Sequence, residues 1–195
     1  MTFSPRTSHE QRLAAMVTAS DELMAALRVV RSLGLRSWCI GAGAIRSLVW
    51  DTLHEFDQRS TVEEDMDVVY FDAGAGPGQD ADLENRLHSA MPSFRWEVTN
   101  QAQVHRWFAA ALGQVVPPLA SLEEGVATWP EFATCVGVYL NEDESLGVVA
   151  PHGLDDLFEL RVRHNPLRAS VATYRERVMA KRFGERWPRL SISTD

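Results

Sequence analysis

Apolar positions along the chain recur in two rhythms, one helical and one alternating, and together they sketch a domain of mixed helices and strands. Over 10–34 the apolar residues return at helical intervals, with Leu23, Leu27, Val30 and Leu33 on one face. Asp21 and Glu22 suit a first turn there, and Gly34 suits a C-terminal cap. The short apolar run 37–40 (SWCI) reads as a buried strand, followed by the turn Gly41-Ala42-Gly43. A helix is predicted over 44–54, with Ile45, Leu48, Val49 and Leu53 inward. Residues 56–64 are polar and irregular, and 65–71 (DMDVVYF) is a strand ended by Asp72 and the turn AGAGPG.

Farther along, the pattern predicts helices over 82–91, 101–112 and 121–128, a strand over 94–99 and a loop over 115–120. Strands over 133–140 and 146–150 form a hairpin around Asn141-Glu142-Asp143-Glu144. Short and long helices follow over 154–158 and 169–186. This order predicts an α+β (mixed α/β) domain, a small mixed β-sheet with flanking helices. One domain over 1–195 is expected: N-terminal helices (1–36), a core (37–160), and a basic C-terminal strand and helix (161–195) packed on it.

Composition narrows the setting. The hydrophobic share of 45% and charged share of 24% are those of a globular protein. No apolar stretch approaches the ~20 residues of a membrane span, and the N-terminus lacks the pattern of a secretory signal. Cys39 and Cys135 lie far apart inside apolar runs, as buried free thiols in a reducing compartment do, so a cytoplasmic location is expected. The net charge of −8 is uneven: residues 161–195 hold nine Lys/Arg against three Asp/Glu. Because the basic residues alternate with apolar ones at helical spacing, docking of this tail on the acidic body is favoured over capture of a phosphate-bearing partner.

Two features carry chemistry. In strand–Gly41-Ala42-Gly43–helix, glycines permit a tight turn and close approach of backbone amides, and the helix start offers unpaired N–H groups that suit a phosphate. Arg46, in the first turn, would add a charge-assisted bond. In the second feature, Asp65 and Asp67 share one face of a strand while Met66 and Val68 point to the core. Side-by-side carboxylates repel unless a cation lies between them, and hard oxygen ligands suit Mg²⁺ or Mn²⁺. The bland alternative is a solvated acidic strand start, since Glu63 and Glu64 extend the run. A dinucleotide-binding fingerprint and a haloacid-dehalogenase phosphatase both lose on direction, because in each the acids follow the apolar run and here they precede it.

The order Gly-rich turn, Ile-Arg helix, Asp-x-Asp opening a strand resembles the DNA polymerase beta nucleotidyltransferase superfamily, including the head motif of tRNA CCA-adding enzymes. More closely, the chain is similar to a bacterial family of nucleotidyltransferase-like proteins of unknown substrate. The resemblance lies in GAGAIRSLVWDTLHEF (41–56), DMDVVYFD (65–72), WEVTNQAQVH (96–105), WPEFAT (129–134), APHGLDDLFEL (150–160) and YRERVMAKRFGERWP (174–188). It implies the nucleotidyltransferase superfold and metal-dependent transfer of a nucleoside monophosphate from a nucleoside triphosphate to an unidentified hydroxyl acceptor: small molecule, RNA or protein. Gly41, Ala42 and Gly43 would form the phosphate turn, with Ser47 where an Asn is expected after Arg46. Asp65 and Asp67 would hold the metal, with Glu97 the candidate third carboxylate and base. The alternative is a catalytically inactive nucleotide or metal binder of the same fold.

Other candidates are Asn100, Gln101 and His105, a polar face after the Glu97 strand near which an acceptor or ribose would sit. Structural roles are favoured for His105, and for Asp155 and Asp156 as a helix start. Tyr174, Phe183 and Trp187 in the tail suit either base stacking or docking, and docking needs fewer assumptions.

Overall fold

A computed structural model of the protein describes residues 8–56, 65–106, 108 and 115–194. Residues 57–64 of the polar segment expected over 56–64, and most of the end of the helix expected over 101–112, lie outside the described residues.

Two N-terminal helices open the fold, α1 (His9–Thr18) and α2 (Asp21–Arg31). Ser8 and Gln11 form a reciprocal capping box on α1, and Ser20 caps α2. Gly34 ends this pair with φ +74°, the left-handed conformation that favours glycine. Strand β1 (Trp38–Gly41), helix α3 (Gly43–Leu53), strand β2 (Asp65–Tyr70), helix α4 (Gln79–Ala90) and strand β3 (Arg95–Asn100) follow. Then come helix α5 (Leu122–Ala127) and the hairpin strands β4 (Gly137–Leu140) and β5 (Leu146–Val149). The chain continues with helix α6 (Asp155–Phe158), strand β6 (Arg161–Val162), helices α7 (Val171–Ala180) and α8 (Phe183–Arg186), and strand β7 (Ser191–Ile192).

The main sheet has five strands in the order β3-β2-β1-β4-β5, and only β2 and β3 run parallel. It is the small mixed sheet that the apolar rhythm predicted. Alternation sorts its two faces. Trp38, Ile40, Met66, Val68, Tyr70, Trp96 and Val98 point to the larger core, with Leu13, Leu27, Ile45, Val49, Leu83 and Leu87 from α1–α4. On the opposite face a smaller cluster of Cys39, Val69, Leu122, Val126, Cys135 and Val149 covers only part of the sheet. The carboxylates of the site lie beside this second cluster.

Two predicted elements came out differently. The strand expected over 133–140 begins as a 3₁₀ turn (Phe132–Thr134), held by the Thr134 hydroxyl donating to both the backbone and side chain of Glu131, and only then becomes β4. The single helix expected over 169–186 breaks at Arg182, whose φ is +52°. The break turns Phe183 and Trp187 back onto Trp50 of α3, at ring distances of 5.5 and 5.0 Å. Tyr174, Phe183 and Trp187 are almost wholly buried, so none offers a face to a base. Further bonds tie the tail to α3: Trp187 Nε1 donates to Asp51 (2.7 Å), and the Arg189 amide donates to His54 Nε2 (3.1 Å). With Nε2 accepting, His54 carries its proton on Nδ1, which donates to the Trp50 carbonyl (2.7 Å).

Candidate active site

The two aspartates stand where the alternation of β2 puts them. Met66 and Val68 are fully buried beneath the sheet, which sends Asp65 and Asp67, both partly exposed, to the other side. Parallel pairing of β2 with β3 aligns Asp67 with Glu97 and Asp65 with Arg95. Residues so aligned project from the same face, so Glu97 stands beside Asp67 and the three carboxylates form one acidic patch. Asp65 is engaged by Arg95 at 3.3 Å, a pair with both side chains open to solvent.

Charge and burial act on Asp67 together. Partial desolvation is the largest influence, then the negative charges of Glu97 and Asp65, and its pKa is pushed up to about 6. Lys181 and Arg177, at the end of α7, pull in the opposite direction. A carboxylate whose neighbours resist its ionisation gains from a nearby cation, and a divalent ion is the strongest such relief. The donor set of hard carboxylate oxygens fits Mg²⁺ or Mn²⁺, ions that keep several waters and take only one or two carboxylates from the protein. Among the described residues no three His, Cys, Asp or Glu side chains already converge as a metal cage.

The glycine turn adjoins this patch. Antiparallel pairing of β1 with β2 matches Ile40 to Val68, so one further step along the register brings Gly41 opposite Asp67. The structure gives Gly41 a different reason from the expected ligand approach: a Cβ there would lie 2.3 Å from the Trp129 ring, which packs on the bare backbone. Ala42 adopts φ 44°, ψ −103°, a conformation that L-residues rarely hold. Its amide donates to the Val136 carbonyl (3.1 Å) and its carbonyl accepts from the Arg46 amide (3.0 Å), which fixes the turn from both sides. The N-cap residue Ala42 makes no side-chain hydrogen bond to the start of α3, so the amides of its first turn ahead of Arg46 have no side-chain cap.

Arg46 and Ser47 lie away from solvent. Arg46 is 1% exposed, its guanidinium 5.0 Å from the Phe183 ring, 5.3 Å from Trp187 and 5.7 Å from Trp50. Its Nη2 donates to the Ser47 hydroxyl (3.2 Å). With so little surface, the guanidinium expected to reach a phosphate instead sits under aromatic rings delivered by the tail. No sequence signal marks the contacts with Phe183 and Trp187, which come from more than 130 residues downstream.

The remaining candidates separate as well. Asn100 is buried and bonds within the fold: its amide nitrogen donates to the Asp72 carbonyl (2.7 Å), and its oxygen accepts from the Asp72 and Ala102 amides, both at 3.1 Å. Gln101 packs against Gly125 of α5. His105 is half-buried, with no partner for Nδ1 among the described residues. Asp155 and Asp156 open α6 as expected, and Asp156 pairs ionically with Arg161 (3.0 Å) and accepts hydrogen bonds from Arg163 (2.8 and 3.1 Å). Glu131, which the residue pattern did not single out, is fully buried and paired with Arg177 at 2.9 Å. The only hint of it was its place in the block WPEFAT.

Similarity to known proteins decides the class. A nucleotidyltransferase family model matches residues 28–192, most of the chain. The chain belongs to that nucleotidyltransferase family. A solved structure described as revealing a CCA-adding enzyme head domain is 27% identical, with a TM-score of 0.80 over 94% of this chain and 95% of that one. A tRNA-processing enzyme in an apo form shares the fold at 16% identity and a TM-score of 0.51; the match covers 87% of this chain but 42% of that one. No curated protein matches the chain. Among the described residues, no helix of this nucleotidyltransferase-family protein is long and apolar enough to cross a membrane.

Proposed function

We propose that the chain moves a nucleoside monophosphate from a nucleoside triphosphate to a hydroxyl acceptor, with Asp65 and Asp67 holding Mg²⁺ or Mn²⁺. The observation that carries this reading is the acidic patch itself: Asp65, Asp67 and Glu97 on one face of β2 and β3, one register step from the start of an uncapped helix. Asp65 and Asp67 would hold the metal, which would supply neutralisation of the charge on the phosphates. The chain's own groups do the rest. First-turn amides of α3 donate to phosphate oxygens. Glu97, level with Asp67, takes the proton of the acceptor hydroxyl as its oxygen bonds to the α-phosphorus. The bond from that phosphorus to the bridging oxygen breaks, and pyrophosphate leaves with the electron pair. Such chemistry rests on positioning and fixed charge. The likeness to a CCA-adding enzyme head makes an RNA 3′-hydroxyl the first acceptor to screen, ahead of small molecules and proteins, in the cytoplasmic setting that two buried free thiols suit.

A second reading, nucleotide binding without transfer, is favoured by the Asp65–Arg95 pair and by the lack of a ready three-carboxylate cage among the described residues. Purified protein incubated with Mg²⁺, each labelled triphosphate and an acceptor panel separates the two. Transfer predicts acceptor-dependent pyrophosphate release that Asp67→Asn abolishes. Tight triphosphate binding with no release for any acceptor would favour the second reading. Undiminished triphosphate affinity in the Asp65→Asn/Asp67→Asn protein would defeat both.

A further inference from the structure

Three tryptophans turn their N–H groups inward. Trp50 donates to the Leu157 carbonyl (3.0 Å), Trp96 to the Met91 carbonyl (3.0 Å) and Trp187 to Asp51 (2.7 Å), and all three rings are buried. Trp129 differs. It is half-buried, its N–H has no hydrogen-bond partner among the described residues, and the nitrogen is not enclosed. An indole donor left open in this way is available to a ligand. The backbone beneath it is fixed, in contrast. Fully buried Asn165 donates from its side-chain nitrogen to the Ala127 and Trp129 carbonyls (2.6 and 2.8 Å) and from its amide to the Pro130 carbonyl (2.9 Å). The ring is therefore held from below and open at its donor end.

Contacts place that ring on the acid face of the sheet. Cys39 and Val69 are matched across β1 and β2, and both belong to the smaller apolar cluster. Two residues along each strand, Gly41 and Asp67 therefore project to the same side. Opposed antiparallel residues hold their Cβ positions about 4.5–5.5 Å apart. The Cβ position of Gly41 is where Trp129 arrives: Cη2 comes nearest, then Cζ3 at 3.0 Å and Cζ2 at 3.4 Å. That order presents the benzo edge of the indole to Gly41, about one side chain away from Asp67. The ring also packs on the cluster of Cys39, Val69 and Val126, so it borders apolar ground on one side and the acids on the other. A triphosphate lying between the acids and the start of α3 must rest its nucleoside along this face. Toward β3 the neighbours are the charged Glu97 and Arg95; toward β1 the neighbour is Trp129. A flat nucleobase matches the second and not the first. We propose that Trp129 binds the nucleoside of the triphosphate, packing on the base through its ring and offering Nε1–H to an acceptor on base or ribose. This rests on the reading of Asp65 and Asp67 given above. Every base has a π-face, so the contact adds affinity without choosing strongly among the four triphosphates.

The test separates the nucleoside from the phosphates. Mg²⁺-ATP and Mg²⁺-tripolyphosphate carry the same chain of phosphates, and only the first has a nucleoside. Trp129→Leu should weaken Mg²⁺-ATP binding about tenfold and leave Mg²⁺-tripolyphosphate affinity within about twofold, while Trp129→Phe, which keeps an aromatic face, should retain most of the ATP affinity. In the wild type, the indole N–H resonance that disappears in Trp129→Phe identifies Trp129 among the six tryptophans, and its indole should show nuclear Overhauser contacts to base or ribose protons of bound ATP. Should Trp129→Leu fail to fold, those contacts decide alone, and their absence overturns the assignment. If the wild type binds both ligands but Trp129→Leu loses both equally, or loses neither, Trp129 makes no nucleoside contact and the acid-pair reading stands. ATP binding no tighter than tripolyphosphate has the same meaning. If the wild type binds neither ligand with Mg²⁺, the acid-pair reading falls first and takes this one with it.

Discussion

The two faces of the main sheet are made from the same strands, yet they solve opposite problems. Along β2, Met66 and Val68 are fully buried against α1–α4, while Asp65 and Asp67, one residue away on either side of Met66, stand in an acidic patch. On the closed face every contact adds stability through apolar burial. On the open face Asp67 is held beside two like charges and partly desolvated, which costs stability until a cation arrives. Neighbours in sequence therefore belong to different energetic regimes, and substitutions at adjacent positions should differ in sign as well as size.

The largest effect is expected on the closed face. Met66→Ala should lower unfolding free energy by about 3 kcal/mol, the usual range for emptying a fully packed apolar site. Urea denaturation measures this, and a loss under ~1 kcal/mol would mean that the two faces are not so distinct. Next comes the boundary between them. Gly41→Ala forces a methyl group into the Trp129 ring and should cost about 2 kcal/mol, as overpacking does. Trp129→Leu in the same chain should recover part of that loss. A Gly41→Ala protein as stable as the wild type would show that the ring moves aside freely.

On the open face the sign reverses. The Asp67 pKa, raised from 3.8 to about 6, means that the folded state binds more protons than the unfolded one between those values, so stability falls as pH rises through that window. The cost is fully present above pH 6 and absent below about pH 4. Asp67→Asn should therefore stabilise the metal-free protein at pH 7.5 by about 1 kcal/mol, allowing for solvent screening of a partly exposed group. That corresponds to a rise of about 2–4 °C in Tm. Melting curves at pH 7.5 and pH 4 measure it: the gain should vanish at the lower pH, and an equal gain at both would remove charge as its cause.

The sequence carried one side of this comparison better than the other. Period-two alternation in DMDVVY marks both faces of β2, because a strand leaves each side chain only two directions. Gly34 was readable as a helix end for an equally local reason. What the pattern could not reach was set by distant chain segments. Gly41 is small because Trp129 needs the space, and Arg46 is enclosed because the tail turns at Arg182 and returns to α3. Glu131 is an ordinary glutamate in sequence and acquires a role only when Arg177 arrives. Local rules placed the acids, and tertiary contacts decided what surrounds them.

The finest test lies at the turn joining the two faces. Ala42 occupies φ 44°, ψ −103°, where its Cβ is strained by about 1–2 kcal/mol. The strain persists because the Ala42 amide is tied to Val136 and its carbonyl to the amide of buried Arg46. Glycine removes the strain but also frees the unfolded chain, which offsets about 0.5–1 kcal/mol of the gain. Ala42→Gly should therefore raise stability by only about 0.5 kcal/mol. Its effect on Mg²⁺-pyrophosphate affinity is more telling. If the bent backbone serves to aim the first-turn amides of α3 at a phosphate, loosening it should weaken binding about threefold even as the protein becomes more stable. A gain in stability with unchanged affinity would assign the strain to the packing of Trp129 and Arg46 alone, and the closed face would then govern the turn.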